Sequence, residues 1–327
     1  MSVRKVEQEL DRVSALRDAP ESEAAPALSK ALDDRVNVIV AKAAKVAGGR
    51  GLVQLTPRLL RAFHRLFEHG SERDPQCWAK NAIAQALVDL EYRDPQPFVR
   101  GARYVQMEAV WGGRQDTATT LRSICALALP ACSAISRGEV LRLLLEGLMD
   151  SAPPVRADAA RALGEMGGEE SALLLRLKAR AIDSEPTVMG QIFDSLLALE
   201  MGDAVSFVRS FFDCPAGAVA GEATLSLGAS RLPGAVDSLI AAWKEFAELD
   251  LRSAILRGLA VSRQERALDF LADLVRNGRT RDAIAALDAL SVARDSDQNR
   301  RLAESAAAER EAEVQAALRS AFPTPEY

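Results

Sequence analysis

A helical hairpin recurs along this chain of 327 residues. Such a repeat constrains the fold more than any local motif, because a unit that cannot bury its own apolar face must stack on its neighbours. The clearest copy starts at Glu139 and reads EVLRLLLEGLMDSAPPVRADAARALGEMGG. Its first half sets Val140, Leu143, Leu144 and Leu148 on one helical face. Asp150 follows as an N-cap acid, and Pro153 and Pro154 supply the fixed φ that suits a first helical turn. The second half carries Val155, Ala159, Ala160 and Leu163 on one face and ends at Gly167 and Gly168. The place of Val155 is taken elsewhere by Leu121, Val188, Val219 and Leu251, and more loosely by Val38, Trp78 and Arg279. Successive spacings are 40, 43, 34, 33, 31, 32 and 28 residues. So regular a period predicts an all-α solenoid, a superhelix of about eight hairpins.

The string Asp150-x-x-Pro-x-Val-Arg-x-x-Ala-x-x-Ala-Leu-Gly resembles the HEAT-repeat signature, in particular its short bacterial, phycocyanobilin-lyase-like variety. The resemblance covers roughly residues 26 to 290 and is specific at this one repeat. It implies second helices lining a concave surface, and a ladder pairing the Asp and Arg of successive units. Arg122, Arg156 and Arg252 keep that arginine, whereas Met189 and Ala220 replace it, so the ladder is expected to break near the fifth and sixth units. Enzymes on this fold set further expectations. Deoxyhypusine hydroxylase-like proteins hold iron with several His-Glu pairs, which two histidines do not supply. HEAT-like alkylpurine DNA glycosylases use tryptophans, an aspartate and a basic groove, of which Trp111 and Asp116 give only a faint echo.

The ends depart from the period. Val6, Leu10, Val13 and Leu16 form the apolar face of a capping helix within residues 1–19, and residues 20–26 read as a linker. The array then occupies 27–298, and 299–327 is expected to hold two capping helices with a frayed tail after Phe322. The charged start lacks an apolar signal core, and no run is long enough to span a bilayer, which together predict a cytoplasmic chain.

The residue inventory is poor in chemistry. Cysteines at 77, 125, 132 and 214 form no CxxC pair and read as small buried hydrophobes. His64 and His69 fall on different helical faces, so neither a metal nor another cofactor is expected. Motif searches for GxSxG, phosphate-binding glycine loops and HExxH come back empty. The paired acids Asp33-Asp34 and Glu169-Glu170 lie at turns, where helix capping explains them.

Two surfaces remain as candidates. If Val155, Ala159, Ala160 and Leu163 face inward, positions 158 and 161 form an outward stripe. Through the units that stripe reads Asn81/Ala84, Ile124/Leu127, Asp158/Arg161, Gln191/Asp194, Glu222/Leu225, Ala254/Arg257 and Asp282/Ala285. Four acids on it and a net charge of -5 argue against nucleic acid. The second candidate is an aromatic zone, Phe63, Phe67, Trp78, Tyr92, Phe98, Tyr104 and Trp111, which coincides with the two longest spacings. It reads either as core filling of irregular repeats or as a recognition patch. The sequence therefore predicts a non-enzymatic scaffold or adaptor that binds another protein on its concave face. Asp158, Arg161, Gln191, Asp194, Glu222, Arg257, Asp282, Trp78 and Trp111 are its candidate contacts. The alternative is a HEAT-fold nucleic-acid-binding or base-excision enzyme using the N-terminal third. A small-molecule or chromophore handler in the aromatic zone is the third reading.

Overall fold

The computed structural model describes residues 3–292 and 296–323, so residues 324–327, within the tail read above as frayed, lie outside it. Twenty α-helices and one β-hairpin make up the regular structure of the described residues. The chain divides into two compact units, Met1–Met166 and Gly167–Tyr327.

The N-terminal unit begins with α1 (Val3–Ala15), α2 (Glu21–Leu32), α3 (Asn37–Gly49), α4 (Thr56–Phe67), the single turn α5 (Gly70–Arg73) and α6 (Trp78–Asp89). Next come α7 (Gln96–Ala102), strands β1 (Met107–Val110) and β2 (Gly113–Asp116), α8 (Thr119–Ala128), α9 (Arg137–Leu148) and α10 (Pro153–Met166). The C-terminal unit runs through α11 (Glu169–Arg180), α12 (Pro186–Glu200), α13 (Gly202–Arg209), α14 (Gly217–Ser230) and α15 (Ala235–Glu245). It continues with α16 (Leu249–Ser262), α17 (Glu265–Asn277), α18 (Thr280–Ser291), α19 (Asp297–Ala307) and α20 (Ala312–Ala321).

The fold is an all-α, HEAT-like repeat of helical hairpins, as the periodicity predicts. The eight second helices located by sequence are α3, α6, α8, α10, α12, α14, α16 and α18. In the N-terminal unit α3, α6, α8 and α10 stack in turn, and in the C-terminal unit α12, α14, α16 and α18 do the same. Their inward positions, such as Ile39, Ile83, Leu121, Val155, Ile192, Ile255 and Leu287, are buried. Small residues bring the stacked helices close. A Cβ on Gly258 of α16 would stand 2.5 Å from the Thr224 carbonyl oxygen of α14, so only glycine permits that approach.

Three features differ from the sequence reading. Residues 21–26, read as part of a linker, are the opening turns of α2, which carries Pro26 within it and forgoes the hydrogen bond that an N–H there would have made to the Ser22 carbonyl. The long spacing from Trp78 to Leu121 contains an antiparallel hairpin, paired from Met107↔Asp116 to Val110↔Gly113, where only helix was expected. Its two-residue turn is Trp111-Gly112, with Gly112 at φ 91°. The Asp–Arg ladder survives in pieces. The Arg122 guanidinium clasps Asp150 at 2.7 Å and also meets Asp116 at 2.6 Å. At the predicted interruption, the Met189 sulfur accepts from the Asp183 N–H at 3.3 Å.

Candidate functional site

The N-terminal unit holds a groove of about 690 Å³. One face of each of four helices lines it: Leu10, Asp11 and Ser14 of α1, Val38, Ala41, Lys42 and Lys45 of α3, Trp78, Asn81, Ala82 and Gln85 of α6, and Thr120 and Ile124 of α8. The spacing of three and four within each set is that of a helix stripe. Trp78 is 51% exposed although it belongs to a packed helix, so much of its indole lies open. Asn81 Oδ1 is buried on this lining without a hydrogen-bond partner. Lys42 and Lys45 form no ion pair or hydrogen bond among the described residues, unlike Gln85, whose amide donates to Asp89 at 2.8 Å.

The start of α6, which carries Trp78, is held by a buried polar network that the sequence does not announce. Gln76 and Cys77 just before it are left-handed, with φ of 59° and 56°. Asp74 caps the helix from a distance: Oδ1 accepts from the Ala79 N–H and Oδ2 from the Lys80 N–H, both at 2.9 Å. Asp74 Oδ2 also meets the Lys80 ammonium at 3.1 Å, with both side chains fully buried. That ammonium donates to the Leu66 carbonyl and faces the rings of Phe67 and Tyr104 at 5.8 and 5.4 Å. The β-hairpin closes the network. Gln106 donates to the Asp74 carbonyl at 2.9 Å, and Glu108 accepts from the Gln76 N–H and the Thr117 hydroxyl, both at 2.7 Å. Those bonds draw the Glu108 carboxyl below its ordinary range against an opposing burial effect.

The aromatic zone divides. Phe63 and Phe98 are buried, and Phe67 makes edge contacts with Phe63 and Tyr104 at 4.9 and 4.6 Å, so these rings fill the core of the irregular repeats. Trp78 opens onto the groove, and Trp111 at the hairpin tip is fully exposed. Asp116 is spent structurally: it accepts from the Gln106 and Ala118 N–H groups and from Arg122.

The outward stripe is less uniform than its sequence pattern. Ala84 and Ala254 are buried, because the stacked helices close over these positions. Asp158 is half-buried and lies 3.9 Å from Arg161. The Gln191 amide donates to Ser195 at 3.3 Å. Asp282 accepts from Arg252 at 3.3 Å, and that guanidinium stacks 3.6 Å from the Trp243 ring centre, so this acid is already matched by a cation. Arg257 borders a separate cavity of about 580 Å³ near Phe212 and Phe246. Asp194 and Glu222 are neighbours on α12 and α14, and a Cβ on Gly190 would meet Glu222 Oε2 at 2.5 Å. Burial raises both carboxyls, and the charge of Asp194 raises Glu222 further.

No described group of three or more His, Cys, Asp or Glu side chains converges on a metal-sized site. The His64 ring meets Arg100 at 2.9 Å on the surface. Cys77 and Cys125 are buried, whereas Cys132 and Cys214 are half-buried. Burial pushes the Cys77 and Cys132 thiols up to about 11 and Cys125 higher still, which keeps these three as thiols at neutral pH. Among the described residues no helix is long and apolar enough to cross a membrane.

No family model matches this sequence, and no curated protein does. Solved structures do resemble it. Human deoxyhypusine hydroxylase, solved in complex with glycerol, aligns at a TM-score of 0.30 and 19% identity, over 79% of this chain and 97% of that one. An engineered protein aligns at 0.37 and 14% identity, over 98% and 95%. Likeness of this degree bears on the fold alone. It does correct one expectation. The sequence led to the expectation of a non-enzymatic scaffold or adaptor, whereas this aligned chain is by its name a hydroxylase. The scaffold or adaptor reading is not carried further.

Proposed function

We propose that this protein binds a small organic molecule in the groove of its N-terminal unit. The observation that carries the reading is the groove itself. It is concave and largely apolar, opens a tryptophan to solvent, and buries the unpartnered Asn81 Oδ1 in its lining. A buried acceptor without a donor costs free energy, and a ligand or an ordered water that supplies the donor recovers it. The rigid network beneath α6 supports the same reading, because it fixes the helix that presents Trp78 and Asn81. We also read the repeats as the short bacterial HEAT variety, a reading that the Asp150 string and its clasp by Arg122 support.

The test is a ligand-detected NMR screen of the full chain against a library of small organic molecules. Hits are expected to lose binding in Thr120→Trp, which fills the groove from an exposed position, and to quench the emission of Trp78. Hits unaffected by Thr120→Trp, or no hits at millimolar concentration, would overturn the proposal.

A further inference from the structure

The charge and shape of the groove narrow the ligand further, an inference that rests on the binding proposal above. We infer that the groove takes an elongated amphipathic anion, a single apolar chain ending in a carboxylate. Shape comes first. The lining is drawn from four helices, α1, α3, α6 and α8, stacked in that order. Packed helix axes lie about 8–10 Å apart, so the groove runs on the order of 25 Å across the stack. A groove of that length, open along one side, suits an extended ligand.

The charge balance then selects the head group. Lys42 and Lys45 of α3 project from one helical stripe into this lining, against Asp11 as its single acid. Unpaired lysines are commonplace on open surface, but these two border an apolar wall made by Val38, Ala41 and Ala82. A carboxylate there would receive two ammonium donors where part of the surrounding water is displaced, which strengthens the attraction. The chain would then run over the apolar wall toward Ile124 and the open face of Trp78.

Isothermal titration calorimetry of the full chain with dodecanoate and with dodecanol, both below their aggregation limits, separates the two levels of the argument. Dodecanoate is expected to bind at least tenfold more tightly than dodecanol. The double variant Lys42→Gln/Lys45→Gln should erase that difference while leaving dodecanol unchanged. Equal affinity for the two probes, or dodecanoate affinity that survives the double variant, would overturn the anion inference. The groove would still stand as a ligand site if Thr120→Trp abolished both. Failure of both probes to bind the native chain would sink the inference, while the wider binding proposal would then be decided by its library screen. Circular dichroism of each variant secures the comparison, since Lys42 and Lys45 make no contact on which folding depends.

Discussion

Replacing Asp74 with alanine should be among the most damaging single changes in the N-terminal unit. Four donors converge on this carboxylate: Asn37 Nδ2 at 2.9 Å, the Ala79 and Lys80 N–H groups at 2.9 Å, and the Lys80 ammonium at 3.1 Å. Asp74→Ala strands two backbone N–H groups of α6 and leaves a fully buried ammonium facing only the Leu66 carbonyl and two ring faces. Removing one partner of a buried ion pair typically costs about 3–5 kcal/mol, and the lost cap falls within the upper part of that range. Lys80→Met should cost less, because Asp74 keeps three N–H donors. The double variant should cost less than the sum of the two, since it no longer buries an unpaired cation. Urea unfolding followed by circular dichroism and by tryptophan fluorescence measures all three, and an unchanged m-value confirms that the same surface unfolds. A loss below about 1 kcal/mol for Asp74→Ala, or strict additivity in the cycle, would refute the argument that the pair organises this region.

Other outcomes follow from the same geometry. Glu222→Gln should stabilise the C-terminal unit at pH 7 by no more than about 1 kcal/mol, since both acids keep solvent access. The sign comes from the raised carboxyls: the folded chain binds more protons, so this pair favours the fold at low pH and loses that contribution as pH rises through the folded values. Unfolding curves of Glu222→Gln should accordingly show a weaker pH dependence above the ordinary carboxylate range than the native chain. Gly258→Ala should destabilise by about 1–3 kcal/mol, because its methyl would press on the Thr224 carbonyl. Gly221→Ala on the open side of α14 should instead gain up to about 1 kcal/mol, a contrast readable by denaturant midpoint. Trp111→Ala should leave stability within about 0.5 kcal/mol, since the indole is fully exposed, and a larger loss would mean that the hairpin tip packs on something.

The parts of this molecule that a sequence can announce are those that repeat. Val155 and its counterparts recur at a helical period, and each copy reinforces the reading of the next, so all eight second helices were legible before any coordinates. What did not repeat was missed for identifiable reasons. Residues 20–26 looked like a linker because Pro20 and Pro26 flank them, yet Pro20 stands at the N-cap of α2 and the burial of Ala24 and Leu28 holds the helix together through Pro26. The hairpin left a short signal, Trp111-Gly112-Gly113 between alternating residues, but four-residue strands are too brief to outweigh a helical neighbourhood. Lys80 was invisible because its partner, Asp74, lies before the helix and outside any helical register.

The same division explains why only part of the groove could be read. Asn81 and Ile124 belong to the repeating stripe, so their exposure to the groove was foreseeable from one register, whereas Trp78 takes the inward place of Val155 and yet opens onto it. Asp11 and Ser14 come from α1, which has no counterpart elsewhere in the array, and Lys42 and Lys45 lie on α3, a looser match to the signature. A site assembled where a repeat array meets its irregular end draws on residues that periodicity cannot place. The unpaired lysines, the open indole and the orphaned amide oxygen all fall in that zone. In the C-terminal unit, by contrast, regular packing has already matched Asp282 with Arg252 and set Asp194 against Glu222. Regular repeats use their polar groups on one another, and the groove arises where that regularity gives way.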